Sequence, residues 1–328
     1  MTKHPPPSLR TCVLTGLLLL ALLAPSAADA SKPQSASAQL LASGLEGASG
    51  SAIGPDGAIY VTEGAAGRIT RVNPRTGNKT TFASGLPPAI IPIGGAIDVA
   101  FIGRTAYVLV TLVGSDIGGS STVGIYRIDG PNRFTVVADI GAFSIANPPP
   151  YPIDVPTGLQ FAMEPIRHGF LVTDGHHNRV LRATLDGQVS EVIAFGNNVP
   201  TGLARHGKTV FMGEAGPIPH APEDGKVSAF GLRSPNPHEI ASGQSLIVDV
   251  ELGRGHKLFA LSQGDSPGDV DPASPAAPDS GKLLRVNHNG TFTAIVSGIN
   301  RPTSLEFIGD TAYVVALDGK IWKVRDAF

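Results

Sequence analysis

The sequence has almost no cysteine: Cys12 is the single one among 328 residues. Cys12 precedes an apolar stretch from Val13 to Ala24, in a segment that we expect to be removed on export. The mature chain would then carry no thiol. This excludes disulfides, cysteine-ligated metals and a cysteine nucleophile, so packing alone has to stabilise the fold.

Charge is also scarce. Charged residues make up 16% of the chain and the formal net charge is −2, so nothing in the composition indicates a nucleic-acid partner. Sustained helical periodicity is absent outside the first 30 residues. Glycine (40) and proline (28) are abundant, beside 42% hydrophobic residues. This mixture is typical of many short strands joined by tight turns.

The first 30 residues have the pattern of a secretory signal peptide. Lys3 and Arg10 provide a basic start, the apolar stretch follows, and Ala28-Asp29-Ala30 forms a cleavage motif. The apolar stretch is too short to span a bilayer as a lasting anchor. We therefore predict a signal peptide at 1–30 and a mature domain at 31–328 that is secreted or periplasmic and not attached to a membrane; the alternative is an uncleaved anchor.

Six similar units follow one another in the mature chain. In each unit an aromatic or apolar second strand is followed by a third strand that opens on Gly or Asn and a basic or apolar residue. The second strands begin at Ile59, Ala106, Phe170, Val210, Leu258 and Ala312. Units of about 50 residues are typical of propeller blades. The sequence therefore predicts an all-β, six-bladed β-propeller of four-stranded antiparallel blades.

The two ends of the chain predict how the ring closes. Fourth strands end in phrases such as Ala83-Ser84-Gly85-Leu86, and the similar run 41–45 opens the mature chain before any complete unit. The chain ends just after a third strand. We expect the N-terminal strand, 39–45, to complete the last blade and cover its edge. The alternative is an open array with a loose N-terminal arm.

The longest connections all fall on one face of such a ring. They are the segments after three second strands, 111–123, 214–224 and 262–280, and the inter-blade link 141–156. Long loops gathered on one side of a rigid scaffold are typical of a binding or active site. The alternative is that they only cover the mouth of the central channel.

At that mouth, Thr157, Thr201 and Thr303 begin three inner strands, and Asp98 and Asp249 occupy two strands on opposite sides of the ring. Two carboxylates facing one axis could hold a divalent cation such as Ca²⁺, together with hydroxyls and waters. They could equally accept backbone N–H bonds, as aspartates beside strands often do.

Four further candidates lie on the face that carries the long loops. His176 and His177 stand in the run Asp174-Gly-His-His-Asn-Arg, and Glu214 and His220 belong to the fourth unit. Imidazoles near a carboxylate are typical of acid–base or metal sites. For Asp174 and Asn178 a structural turn is the better interpretation, whereas His176 and His177 stay open.

The phrases at 54–63, 200–203 and 301–307 resemble the NHL, SMP-30/gluconolactonase and strictosidine-synthase group of six-bladed propellers. The run 281–287, the Pro-rich loop before it and the export signal resemble the ScyD/ScyE family. The gluconolactonase resemblance implies a channel metal and lactone hydrolysis. Glu46-Gly47 matches its Glu-Gly opening, whereas Thr157 and Thr201 stand where its asparagine ligands would be.

Taken together, these patterns predict an exported, monomeric propeller that binds or hydrolyses a small molecule at the loop-rich mouth, with or without a divalent cation. Any activity would resemble a lactonase, and no residue is assigned a catalytic role from the sequence. The alternative is a non-catalytic scaffold that binds an extracytoplasmic protein or glycan.

Overall fold

Twenty-four short strands account for most of the residues that the computed structural model describes, which are 36–268 and 274–328. The predicted signal peptide at 1–30 lies outside the described residues. In chain order the strands are β1 (Ala38–Ala42), β2 (Ala48–Ile53), β3 (Ile59–Glu63), β4 (Arg68–Val72), β5 (Lys79–Ser84), β6 (Gly95–Ile102), β7 (Thr105–Thr111), β8 (Gly124–Gly130), β9 (Arg133–Asp139), β10 (Gln160–Ile166), β11 (Gly169–Asp174), β12 (Arg179–Thr184), β13 (Val189–Ala194), β14 (Val199–His206), β15 (Thr209–Gly216), β16 (Gly225–Gly231), β17 (Ser234–Gln244), β18 (Ile247–Leu252), β19 (Leu258–Ser262), β20 (Gly281–Val286), β21 (Phe292–Ile299), β22 (Pro302–Ile308), β23 (Thr311–Ala316) and β24 (Lys320–Val324).

The strands form six four-stranded antiparallel sheets, which are the six predicted blades. Blades 1 to 5 are consecutive meanders, β2–β5, β6–β9, β10–β13, β14–β17 and β18–β21. Blade 6 has the order β22-β23-β24-β1. The first strand of each blade contacts the first strands of both neighbouring blades, so these six inner strands surround a central channel. The predicted six-bladed propeller is confirmed.

The N-terminal strand closes the ring, also as predicted. β1 pairs with β24 in antiparallel register, with Ala38 opposite Val324 and Leu40 opposite Trp322. Just after β1, the Leu45 amide donates to Gly319 O at 3.1 Å. The outer edge of the last blade is therefore covered, and the alternative of a loose N-terminal arm is wrong.

The second strand of each blade lies inside its sheet and packs between the neighbouring blades. This explains why its residues are mainly apolar or aromatic. Every residue of β3, β11 and β23 except Thr311 is buried. Tyr60 on β3 shows how blades pack. Its ring meets Phe82 of its own blade and Phe101 of the next blade edge-on, each at 4.9 Å between centroids. Such aromatic pairs add specific geometry to the burial of apolar surface.

The long connections lie on one face, here called the mouth. In an antiparallel meander, the segments between second and third strands and the links between blades share one end of the blade. The inter-blade link after β9 contains the one α-helix of the described residues, α1 (Ile140–Ala146), whose N-cap Asp139 accepts from the Ala142 amide at 2.8 Å. The sequence pattern did not predict this helix. No helix of the described part is long and apolar enough to cross a bilayer.

Side chains on or beside the inner strands connect each blade to the next. Asp98 of blade 2 accepts from the Met163 amide of blade 3 at 2.8 Å, and Asp249 of blade 5 accepts from the Leu305 amide of blade 6 at 2.7 Å. The other four interfaces use threonine hydroxyls that bond backbone oxygens: Thr62 to Ile97, Thr173 to Thr201, Thr201 to Ile247 and Thr303 to Ser49.

Two glycines make room for the aspartate connections. A Cβ on Gly50 would lie 2.3 Å from Asp98 Oδ1, and a Cβ on Gly202 would lie 2.3 Å from Asp249 Oδ1. The same spatial arrangement of a glycine, an aspartate and a backbone amide on three successive blades therefore occurs twice in the ring, three blades apart. Each aspartate is held between the glycine of the preceding blade and the amide of the following one.

We predict that Gly202→Ala destabilises the propeller by about 1–3 kcal/mol, because the new methyl group has to displace Asp249 from a closely packed interface. Gly196→Ala is the matched control, since no atom lies within 4 Å of the Cβ position there; it should change stability by less than about 0.5 kcal/mol. Denaturant unfolding measures both. Equal stability of the two variants would contradict this account of the interface.

Candidate functional site

The channel contains a cavity of about 670 Å³ that opens at the mouth. Cavities of this size commonly hold small molecules. Six of the residues predicted from the sequence line it: Asp98, His176, Thr201, His220, Asp249 and Thr303. The structure therefore brings these six residues to a common space.

Two predicted mouth residues do not line the cavity. The side chain of Glu46 is exposed and lies 3.1 Å from Arg68 Nη2. Thr157 is buried, and both its amide and its hydroxyl donate to Asp116 Oδ2, at 2.9 and 2.8 Å. Thr157 therefore fixes the loop after the second strand of blade 2 and has no hydroxyl proton to offer a ligand.

Glu214 belongs to a repeated structural pair. The last carboxylate of three second strands sits opposite the first basic residue of the third strand: Glu63 opposite Arg68, Asp174 opposite Arg179 and Glu214 opposite Lys226. The closest N–O distances are 2.7, 3.0 and 3.5 Å. All three carboxylates are buried. These cross-strand ion pairs stabilise the hairpins at the mouth.

His177 has a structural role as well. It is 1% exposed. Its Nδ1 lies 2.9 Å from Arg179 Nη2, and its Nε2 lies 3.1 Å from Val155 O. The same Nδ1 lies 3.1 Å from Asp174 Oδ2. The buried imidazole therefore connects the inter-blade link, through Val155, to the Asp174–Arg179 pair of blade 3.

The carboxylate oxygens of Asp98 and Asp249 already accept hydrogen bonds from backbone amides. Besides the inter-blade bonds, Asp98 Oδ1 accepts from its neighbour Val99 and Asp249 Oδ1 from Val250, at 2.8 and 2.9 Å. Burial raises the pKa of Asp98 well above its ordinary value and the pKa of Asp249 to about 7. All four carboxylate oxygens thus have donors already.

This donor set does not fit the channel metal that the gluconolactonase resemblance implies. The Thr201 hydroxyl is committed to Ile247 O at 2.9 Å, and Thr157 is bonded to Asp116. Within residues 36–268 and 274–328, no group of three or more His, Cys, Asp or Glu side chains is arranged to hold a metal ion. A cation at Asp98 and Asp249 would have to share carboxylate oxygens that each already accept a backbone N–H bond.

His176 and His220 are the predicted residues with free acid–base capacity. His176 Nε2 accepts from the Val155 amide at 3.3 Å, so the neutral ring carries its proton on Nδ1. His220 is 9% exposed, and its Nδ1 has no hydrogen-bond partner in the described structure. Burial lowers the pKa of both imidazoles, so both are neutral at pH 7.

The imidazole of His220 has an open hydrogen-bonding position. Its buried Nδ1 has no partner within the described residues, and in a neutral imidazole one nitrogen accepts while the other carries the proton. The cavity wall therefore includes a buried, unsatisfied nitrogen at His220 and, because His176 Nε2 accepts from Val155, a protonated Nδ1 at His176.

Sequence reasoning missed three glutamates in the channel. Glu164, Glu251 and Glu306 line the cavity. They are paired with Leu171, Phe259 and Tyr313, which are matching positions of the second strands. The three other blades have alanine there: Ala52, Ala100 and Ala204. The signal was present in the sequence, since a glutamate inside an otherwise apolar inner strand is unusual.

These glutamates lie near the far end of the channel, close to the turns that join first and second strands. Arg205 is the one guanidinium among the lining residues, 3.5 Å from Glu164. Burial raises the pKa of Glu164 to about 7 and also raises the pKa values of Glu251 and Glu306. Repulsion among the carboxylates adds to this shift for all three. Five acids and one arginine therefore share the channel.

The raised pKa values predict that the protein loses stability as pH rises from about 5 to 8. Asp249 and Glu164 shift from 3.8 and 4.5 to about 7 on folding, so in this range the folded state binds more protons than the unfolded one. Thermal midpoints across this range measure the effect. The variant Glu251→Gln/Glu306→Gln should flatten the curve, whereas exposed Glu239→Gln should not. Parallel curves for all three proteins would contradict the assignment.

A comparison with protein-family models finds no match, and a comparison with curated protein sequences finds none either. Solved structures do match. A gluconolactonase from Xanthomonas campestris aligns with a TM-score of 0.62 and 12% identity, over 88% of this chain and 89% of that one. A PQQ-bound aldose sugar dehydrogenase from Streptomyces coelicolor aligns at 0.59 and 16%, over 89% and 99%.

Virginiamycin B lyase from Staphylococcus aureus aligns with a TM-score of 0.54 and 14% identity, over 88% of this chain and 98% of that one. Identities this low establish the fold alone, because one propeller scaffold hosts many chemistries. The chain is therefore similar in architecture to gluconolactonase-like six-bladed propellers.

Proposed function

We propose that this is an exported propeller whose channel cavity binds a small molecule and hydrolyses it with a neutral histidine pair. The observation that carries the proposal is His220: its Nδ1 is buried and unpartnered, on a 9% exposed side chain that lines a cavity of about 670 Å³. An unsatisfied buried acceptor is costly unless a ligand or water completes it.

The chemistry that suits this pair is hydrolysis of a cyclic ester. His220 Nδ1 would take a proton from water as the water oxygen attacks the ester carbonyl. The acyl C–O bond then breaks, and the leaving alkoxide takes the proton back from the His220 imidazolium. His176 Nδ1–H would donate to the carbonyl oxygen as negative charge develops there. The gluconolactonase of similar fold supports this class of reaction.

A divalent cation remains the expectation from the resemblance, and we propose that the reaction does not depend on one. Asp98 and Asp249 have all four oxygens bonded to backbone amides. Metal analysis of the purified protein, with activity measured before and after chelation, tests this. Unchanged activity is expected. Loss on chelation with recovery on adding Ca²⁺ would assign the reaction to a metal.

We predict that His220→Gln lowers kcat/KM on a responsive lactone by about 100-fold or more, with little change in unfolding temperature. His238→Gln is the matched control, because His238 is exposed on the outer strand β17. A panel of lactones and esters identifies the substrate first. Equal activity of the wild type and the His220 variant would overturn the assignment of the base.

The second candidate function is a scaffold that binds a protein or glycan at the mouth. It is favoured by the exposed isoleucines of the link between blades 1 and 2, Ile90, Ile91 and Ile93, which are 39–45% exposed. Exposed apolar clusters often mark interaction surfaces. A protein inert to the whole panel that binds no small molecule would support the scaffold.

A further inference from the structure

Apolar side chains line part of the cavity wall near the mouth, beside His176 and His220. Ile93 and Ile218, each 40% exposed, line it at the mouth. Both belong to mouth connections, Ile93 between β5 and β6 and Ile218 between β15 and β16. Further along the lining come Phe161, Leu203 and Val248. The walls near the mouth would therefore favour an apolar body.

The far end has an excess of acidic groups over basic ones. Glu164, Glu251 and Glu306 take the same register position in three of the six inner strands. Arg205 lies near Glu164 and also donates to Pro165 O and Gly207 O, at 3.1 and 2.8 Å. Glu251 accepts from the Leu252 amide at 2.8 Å, and no hydrogen bond is formed by Glu306 within the described residues.

His220 is a second unsatisfied group on the wall of this cavity, because its buried Nδ1 has no partner. Deeper in the channel, Glu306 forms no hydrogen bond within the described residues either. No lysine is among the described residues that line the cavity, and Arg205 is the one guanidinium among them. A ligand that carries its own donors would satisfy these groups.

We propose that the cavity binds a small molecule with an apolar body and one protonated amine, the amine lying among Glu164, Glu251 and Glu306. This inference rests on the proposed function, and it names the class of molecule that the cavity takes. The ammonium group supplies three donors and a positive charge. The body lies along the apolar wall toward the isoleucines of the mouth, and a hydroxyl or ring N–H of the ligand can donate to His220.

Binding should be coupled to protons. The acids that face the cavity are Asp98, Glu164, Asp249, Glu251 and Glu306, and the basic groups are Arg205, His176 and His220. Burial and mutual repulsion raise the pKa values of the three glutamates, so some of these carboxyls are protonated near neutral pH. An ammonium ion favours their charged forms. Its binding should therefore release protons.

Three probes of equal length separate the charge from the apolar body: n-octylammonium, n-octanol and n-octanoate. Titration calorimetry at pH 7.5 should show the ammonium binding about 10- to 100-fold more tightly than the alcohol. The ammonium should bind more tightly at pH 8 than at pH 6, because the carboxyls lose protons while an alkylammonium, like lysine, keeps its own. Two buffers of different ionisation enthalpy should reveal the released protons.

The variant Glu251→Gln/Glu306→Gln should lose the preference for the ammonium and keep the affinity for the alcohol. Glu239→Gln, an exposed carboxylate on β17, is the matched control and should keep both. Because glutamine has nearly the same shape, a folding defect is not expected, and circular dichroism with a thermal midpoint checks this for both variants.

The outcomes separate the two proposals. Equal binding of ammonium and alcohol, or tightest binding of octanoate, overturns the amine assignment and leaves the small-molecule site intact. Hydrolysis of a lactone without binding of any probe also overturns the amine assignment alone. If no probe binds and no lactone or ester is hydrolysed, both proposals fail.

Discussion

The propeller depends on one kind of contact, the hydrogen bond between a side chain on or beside an inner strand and the backbone of the next blade. Each of the six interfaces has one, made by a threonine hydroxyl or an aspartate. Apolar packing alone would let neighbouring sheets slide, because it has no direction. A bond to one particular backbone group fixes the register of each blade against its neighbour.

This constraint explains why polar residues near the channel axis differ in what they can do. Asp98, Asp249, Thr201 and Thr303 face the cavity, yet their polar atoms are used within the protein. Glu251 and Glu306 connect no blades within the described residues, and Glu164 reaches the next blade only through Arg205, 3.5 Å away. All three cost folding free energy by being drawn from water, and for Glu251 and Glu306 the scaffold gains no inter-blade bond in return. Groups of this kind are the ones most readily explained by a ligand.

His176 and His177 show that two adjacent residues of the same type can differ in whether they are available to a ligand. They are adjacent in sequence, and both look equally suited to chemistry. His177 turns into the protein and bonds Arg179 and Val155, whereas His176 lines the cavity. The fold therefore gives two neighbouring histidines different roles.

The sequence by itself determined the architecture. Six repeated units with matching second strands, and an N-terminal phrase similar to a fourth strand, were enough to predict six blades and the strand that closes the ring, since these features depend on local pattern. It also predicted six residues of the cavity wall, among them Asp98, His176, His220 and Asp249. Which of these atoms are free was decided by the tertiary structure alone. The partner of Asp98 is 65 residues away and that of Asp249 is 56 residues away, and the glutamates of three separate blades meet only because the ring brings their inner strands to one axis.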